Sequence, residues 1–418
     1  MKNFTFKLIL MLLLLVSATS VFAQLVMMPK RILTGYENNP CYISFSAKGA
    51  YSVLTTSGAE IEIRDQDFNK LWTYQNSGNA GAGKGVFSPD EKYMIFSKFQ
   101  SRGDVAVLRI SDKKIIYQIK AHDEYVSDLV LSPDGKMLAT CGTDSKIKIF
   151  QWKNEALVLL QTISVQISEQ AYAEYANAIK FSPDSKYLVF GGRMGTATYD
   201  TQNKFLSGKP SEIQVFSLQA NTFKLVQSLP ERFDVEAIVF HPKGQYFVAA
   251  TSERLLAFKL NGGKFVADRA FTDADYLGSL SFSPDGKYLA GSRMNIFKVW
   301  EWKNGSINLV HENEMSRLSI VDVQFSSDGN YLANSSLDKK LTFWELPNAP
   351  IAKNAEKRGE TQKPAPQQTE PKKTDTNELE GFVPTTTGKN YLFLIGINQY
   401  KFWNPLHNAQ KDAQDIKK

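Results

Sequence analysis

Four histidines and two cysteines are all that 418 residues contain, and these scarcities exclude whole classes of chemistry. A zinc cluster or a disulfide framework needs several Cys or His at short spacing. Cys41 and Cys141 lie far apart, and both read as small buried apolar residues; no metal and no cofactor is expected. Charge of one sign is also lacking. The net charge of +6, spread over the whole chain, gives no basic footprint for nucleic acid. Long apolar runs are missing except for Leu8–Val16, which is too short for a comfortable membrane span. Lys2 and Lys7 precede that run and Val21-Phe22-Ala23 follows it, the pattern of a signal peptide over residues 1–23 that is removed before Gln24. The expectation is an exported chain (periplasmic, cell-surface or secreted) with no membrane span after cleavage.

What the chain has in quantity is one phrase. Phe282-Ser-Pro-Asp-Gly-Lys-Tyr-Leu-Ala290 and Phe181-Ser-Pro-Asp-Ser-Lys-Tyr-Leu-Val189 are its clearest copies, and seven copies begin at 45, 87, 131, 181, 240, 282 and 325. In each, an apolar run enters, Pro fixes φ, Asp and Gly supply a tight turn, and an alternating strand leaves. A period in the low forties with this turn chemistry is one propeller blade per repeat. One such sheet cannot bury both faces, whereas seven packed radially can. The fold class expected is all-β, a seven-bladed propeller over residues 30–347. Lys30–Tyr36 is expected as a spare strand that pairs with Leu341–Leu346 and closes the ring.

The residues around the phrase resemble the WD-repeat family. Ala121-His122 stands for its Gly-His pair, Thr140 for its strand hydroxyl, Asp144 for its turn aspartate, and Phe150 takes the usual tryptophan position. Trp300 and Trp344 restore the tryptophan in blades six and seven, and Asp338 supplies the aspartate in blade seven. The resemblance implies a hydrogen-bonded brace of His122, Thr140 and Asp144, with most other blades lacking the full set.

Past the propeller the composition changes. Residues 348–388 are rich in Lys, Glu, Gln, Thr and Pro, a composition expected to remain a disordered linker. Asn390–Tyr400 then reads as a buried parallel strand and Asn408–Lys418 as the opening of a helix. This strand and helix resemble the first α/β unit of the caspase/metacaspase-like cysteine peptidases, through Ile395-Gly396-Ile397-Asn398, Tyr400, Leu406, Ala409 and Asp412-Ala413. Residues 389–418 are then the start of such a domain. The resemblance implies a thiolate nucleophile and a histidine base downstream of Lys418, so the chain as it stands is expected to be inactive. It also implies that Asp412 lines a pocket for a substrate Arg or Lys; a solvated helix position is the alternative.

Other candidates are weaker. Gly78–Gly85 has phosphate-loop spacing up to Lys84 but lacks the following Ser or Thr and the helix, which leaves a loop between blades. His311-Glu-Asn-Glu314 reads as a solvated loop, and Cys141 as an inert thiol. Two long intervals between phrases place insertions at Ser164–Asn177 and Arg193–Ser211, both expected on one face around blade four. Their Tyr172, Tyr175, Arg193, Tyr199 and Phe205 are candidates for binding a protein partner. The function expected is a protein-interaction or sensing propeller tethered to a cysteine endopeptidase. Two alternatives stand: a pure binding scaffold with a degenerate tail, or an enzymatic propeller whose channel would need clustered carboxylates or histidines.

Overall fold

A computed structural model describes residues 25–347 apart from 26, 59, 76–81, 99–102, 166–176, 193–197, 200–204, 208–210, 273–276 and 316–317. Within that span the chain forms seven four-stranded antiparallel sheets and one two-stranded ribbon. In each blade strand a is innermost and strand d outermost. Blade three runs Val126–Leu131, Met137–Gly142, Lys146–Lys153 and Ala156–Ser164, and the other blades repeat it. The seven-bladed, all-β ring expected from the phrase is present.

The phrase works through its serine. In blade six the Ser283 hydroxyl donates to Asp285 at 2.6 Å and accepts the Tyr288 N–H at 2.8 Å. The same pair of bonds recurs at Ser88, Ser132, Ser182 and Ser326. These serines are buried beneath the turn, where a hydroxyl both donating and accepting leaves no orphaned polar atom. Blade five substitutes His241, whose Nδ1 accepts the Lys243 N–H at 3.2 Å while Nε2–H donates to Gly286 O of the next blade at 3.1 Å.

Hydrophobic packing lies between blades, since a sheet's two faces are covered only by its neighbours. Between blades four and five, Phe247 stacks on Phe258 with ring centroids 4.7 Å apart and meets Phe265 edge-on at 5.0 Å. All three are buried, and each contributes roughly 2–3 kcal/mol by leaving water. Side-chain amides join the outer strands as well. Gln161 donates to Phe223 O and accepts Phe223 N–H, both at 2.8 Å, and Gln227 does the same to Phe265 in the next blade.

The ring closes where expected but two residues early. Met28–Leu33, not Lys30–Tyr36, forms strand d of blade seven, with Ile32 opposite Thr342 and Leu33 opposite Leu341. Pro29 is tolerated because an outermost strand has a free side where no N–H is needed, and a register shift separates it from Arg31. The strand stops before Gly35, whose φ of +83° turns the chain; Tyr36 then reaches Arg64, 2.9 Å away. Upstream, Leu25 N–H donates to Val310 O at 2.8 Å, and Leu25 and Met27 are buried against Phe297, Val323 and Trp344. Residues 1–24 and 348–418, with the expected signal, linker, Asp412 and the α/β fragment, lie outside the described residues.

Candidate functional site

The brace in blade three is built from a loop and two strands. His122 sits in the loop that enters strand a, with its ring wholly buried. Nδ1 lies 2.8 Å from Asp144 Oδ1 and Nε2 lies 2.8 Å from Thr140 Oγ1. A carboxylate cannot donate, so Nδ1 carries the proton and the Thr140 hydroxyl donates to Nε2. Burial pushes the Asp144 carboxyl up, but the His122 bond and the Asp123 N–H outweigh it and hold its pKa below the usual range. Phe150, at the tryptophan position, is buried and has no indole N–H to join the network.

Blade seven is braced differently. Trp344 Nε1–H donates to Asn334 Oδ1 at 2.7 Å, both residues being buried. Asp338 accepts from Ser336 and from Lys340 Nζ, with no histidine beside it in those bonds. Trp300 packs with Leu289 and Trp302 between blades five and six.

At blade four the chain inserts an extra ribbon between strand b, Tyr187–Gly192, and strand c, Ser211–Gln219. Thr198–Tyr199 pairs with Phe205–Ser207, and Tyr199 lies opposite Phe205. Strands b and d run in the same direction, so loops leaving them emerge at one end of the ring. The ribbon therefore shares that end with the connection from Ser164 to Asn177. Tyr172, Tyr175 and Arg193 lie outside the described residues.

Several candidates occupy other places than expected. Residues 82–85 of the glycine-rich stretch are strand a of blade two, Ala82–Phe87, and not a loop. His311 belongs to strand d of blade six, Ser306–Glu314, where Nδ1–H donates to Leu25 O at 3.0 Å; alternation with a buried neighbour sheet, not solvation, sets its surroundings. Cys141 is buried and Cys41, expected to be buried too, is partly exposed. Among the described residues no group of His, Cys, Asp and Glu could hold a metal ion, and no helix is long and apolar enough to cross a membrane.

The sequence reading missed the channel. The inner strands surround a cavity of about 300 Å3 lined by Tyr42, Lys84, Asp128, Lys180, Glu236 and Asp322, among others. Lys84 Nζ lies 3.2 Å from Asp128 Oδ1 and Lys180 Nζ lies 3.1 Å from Oδ2. Burial alone would raise the Asp128 pKa, but Lys180 and Lys84 outweigh it and hold the carboxyl low. Burial likewise works against the charge on Lys84, and Asp128 reverses it, so that ammonium stays protonated. The Tyr42 hydroxyl is pushed up to about 12, chiefly by desolvation. The signal was available: Tyr42, Lys84, Asp128, Ser279 and Asp322 each stand three residues before the first residue of a phrase.

Residues 113–151 and 310–345 match the family model described as WD domain, G-beta repeat. This propeller carries WD repeats. The matched stretches start just before strand d of blade two and within strand d of blade six, and each continues through strands a to c of the next blade. That offset by one strand explains why Met28–Leu33 completes blade seven. The small ribosomal subunit protein RACK1 of Neurospora crassa is 26% identical over 203 residues, 46% of this chain and 56% of that protein. MST50-interacting protein 11 of Pyricularia oryzae is 25% identical over a stretch of the same length. Protein transport protein sec13 of Emericella nidulans is 24% identical over 251 residues, covering 53% of this chain and 77% of that one. The chain spans about half the length of the first two of these relatives.

Proposed function

We propose that the chain is an exported protein-interaction propeller whose blade-four end recruits a partner protein. The WD-repeat ring is a rigid frame, and the observation that carries the reading is the ribbon Thr198–Tyr199/Phe205–Ser207. It is surplus to the four strands a blade needs, and binding residues concentrate on loops that a rigid scaffold positions. One similar protein is named for an interaction, with MST50, which favours the same class of function here. Lys2, Lys7, Leu8–Val16 and Val21-Phe22-Ala23 support export. Residues 389–418 read as the start of a caspase-like cysteine peptidase domain that the propeller tethers through 348–388, with Asp412 facing a basic substrate side chain.

The test replaces 193–210 with the short b–c loop of blade three, Thr143-Asp144-Ser145. The expected outcome is an unchanged melting temperature and loss of the partner that crosslinks to the intact chain in its native extract. A partner retained by the shortened variant, or by a Tyr199→Ala/Phe205→Ala pair, counts against this end of the ring. The peptidase reading is tested separately, by expressing the gene through its natural stop codon and assaying Arg, Lys and Asp fluorogenic peptides. Cleavage after Arg or Lys that Asp412→Ala abolishes supports it, and absence of a downstream Cys and His removes it.

A further inference from the structure

Among the described residues the channel lysines have more donors than they are given acceptors. Each ammonium carries three N–H groups, and Lys84 and Lys180 both spend one on Asp128. Lys84 otherwise lies over the Tyr42 ring, 5.3 Å from its centroid. Asp128 is already engaged by the N–H of Leu129 at 2.9 Å and of Ile179 at 3.2 Å. One carboxylate thus faces two ammonium groups, and this wall keeps an excess positive charge. The lysine side chains are still 34% and 31% exposed, whereas Asp128 is 1% exposed, so the surplus donors face the cavity and not the sheet.

Tyr42, whose ring Lys84 overlies, lines the same cavity, and its hydroxyl stays protonated. The far wall is different. Asp322 receives the N–H groups of Ile43 and Val323, the Ser279 hydroxyl and the Gln324 amide, and Glu236 lines the same side. The channel is bipolar, with donors in surplus on blades two to four and carboxylates on blades five to seven. Its volume of about 300 Å3 has room for roughly ten waters at liquid density.

We propose that the central channel binds a small molecule through one oxyanion group, a carboxylate or a phosphate, held between Lys84 and Lys180 beside Tyr42. The Asp322 carboxylate on the far wall repels a second anionic group, so the ligand carries one oxyanion and is otherwise neutral or cationic. This site is separate from the blade-four end, and its fate does not depend on the partner reading.

Acylation of Lys84 and Lys180 in the full chain, read residue by residue by mass spectrometry, tests it. Inorganic phosphate and acetate are the two probes, titrated separately, with Lys224 on an outer strand as the unprotected control. The expected result is saturable protection of both channel lysines together by at least one probe, and the protecting probe identifies the group. Lys180→Gln should raise Lys84's half-protecting concentration about tenfold, a conservative share of what one charge at 4–5 Å is worth at an effective dielectric of 20, and Lys180→Arg should restore it. Either Lys180 variant leaves Asp128 paired with Lys84. No saturable protection by either probe, or protection indifferent to the Lys180 changes, overturns the proposal and leaves a water-filled channel.

Discussion

The carboxylate of Asp322 accepts the backbone N–H of Ile43 at 2.9 Å across 279 residues of chain. It is the innermost stitch of the seam where blade seven meets blade one. Asp128 makes the equivalent bond to Ile179 between blades three and four, so the same position in two repeats ties one inner strand to the next. The seam has further bonds: Ser327 Oγ donates to Ser46 O at 2.6 Å and Lys339 Nζ to Glu37 O at 2.8 Å. Strand Met28–Leu33 covers its outer edge. The seam cannot open without breaking all of these.

Asp322→Ala should therefore cost about 2–4 kcal/mol, because it strands the buried Ile43 N–H and frees the Ser279 hydroxyl. Asp322→Asn retains an acceptor oxygen and should cost about 1 kcal/mol. Urea midpoints measure both. A loss under roughly 0.5 kcal/mol for the alanine variant, within the range of ordinary surface changes, would show that the outer strand alone holds the seam.

The turn phrase carries a second expectation. Gly135 and Gly286 adopt φ of +71° and +74°, and in blade four the same place is filled by Ser185 at +61°. A side chain in the left-handed region costs roughly 1–2 kcal/mol. Ser185 contributes only a long 3.4 Å acceptor contact to Asp134 N–H in return. Ser185→Gly should raise stability by about 0.5–1 kcal/mol after the unfolded-state entropy of glycine is subtracted. A lower unfolding midpoint in this variant would mean that the serine hydroxyl outweighs the strain.

The blade count was legible because the phrase is chemistry and not only pattern: its serine and aspartate make the same pair of turn bonds in five of the seven copies. The insertion at blade four was legible as length, since an interval that exceeds the norm has to emerge as extra chain. The channel left only a positional trace, polar residues three places before a phrase, because Lys84 and Lys180 sit in runs that read as a glycine loop or as an apolar strand. Only the ring brings them to one carboxylate. His311 was missed for the opposite reason, since Glu312 and Glu314 beside it look like solvent-facing loop residues while strand alternation turns the imidazole toward Leu25. The closing strand was misplaced by two residues because Pro29 reads as a break anywhere except on an outer edge.

Stability should depend on pH through two histidines. Burial lowers the pKa of His241 and His311 below the usual histidine value, against the opposing bonds to Gly286 O and Leu25 O, and Lys243 adds to the lowering at His241. A histidine with a lowered folded pKa binds fewer protons folded than unfolded, so stability rises with pH. Its contribution is complete above about 6.5, the unfolded value, and is lost as pH falls through and below it. Protonation would give His241 a hydrogen on the nitrogen that accepts Lys243 N–H. It would give His311 a second N–H where Nε2 has no partner among the described residues. His241→Ser restores the residue that other blades use and should flatten the unfolding midpoint between pH 7.5 and 5.5. A curve identical to that of the parent would exclude His241 as a cause.

The two thiols provide the last expectation. Cys141 is fully buried, and its thiol pKa is raised chiefly by desolvation, with the Asp128 charge adding to it. A thiol in that setting is neither a nucleophile nor readily oxidised. Cys41 is partly exposed, its Sγ donating to Asn39 O at 3.4 Å. Titration of the native protein with a disulfide reagent should modify Cys41 first and leave Cys141 untouched until the ring is unfolded. The 418-residue chain should show no thiol-dependent turnover of Arg, Lys or Asp fluorogenic peptides. Cys41→Ser should abolish native thiol reactivity without shifting the unfolding midpoint by more than about 0.5 kcal/mol, the range of a surface change. Rapid modification of Cys141 in the native protein would show that blade three opens locally. Peptide turnover lost in Cys41→Ser would assign this thiol a catalytic role that its position near the mouth of the ring does not by itself imply.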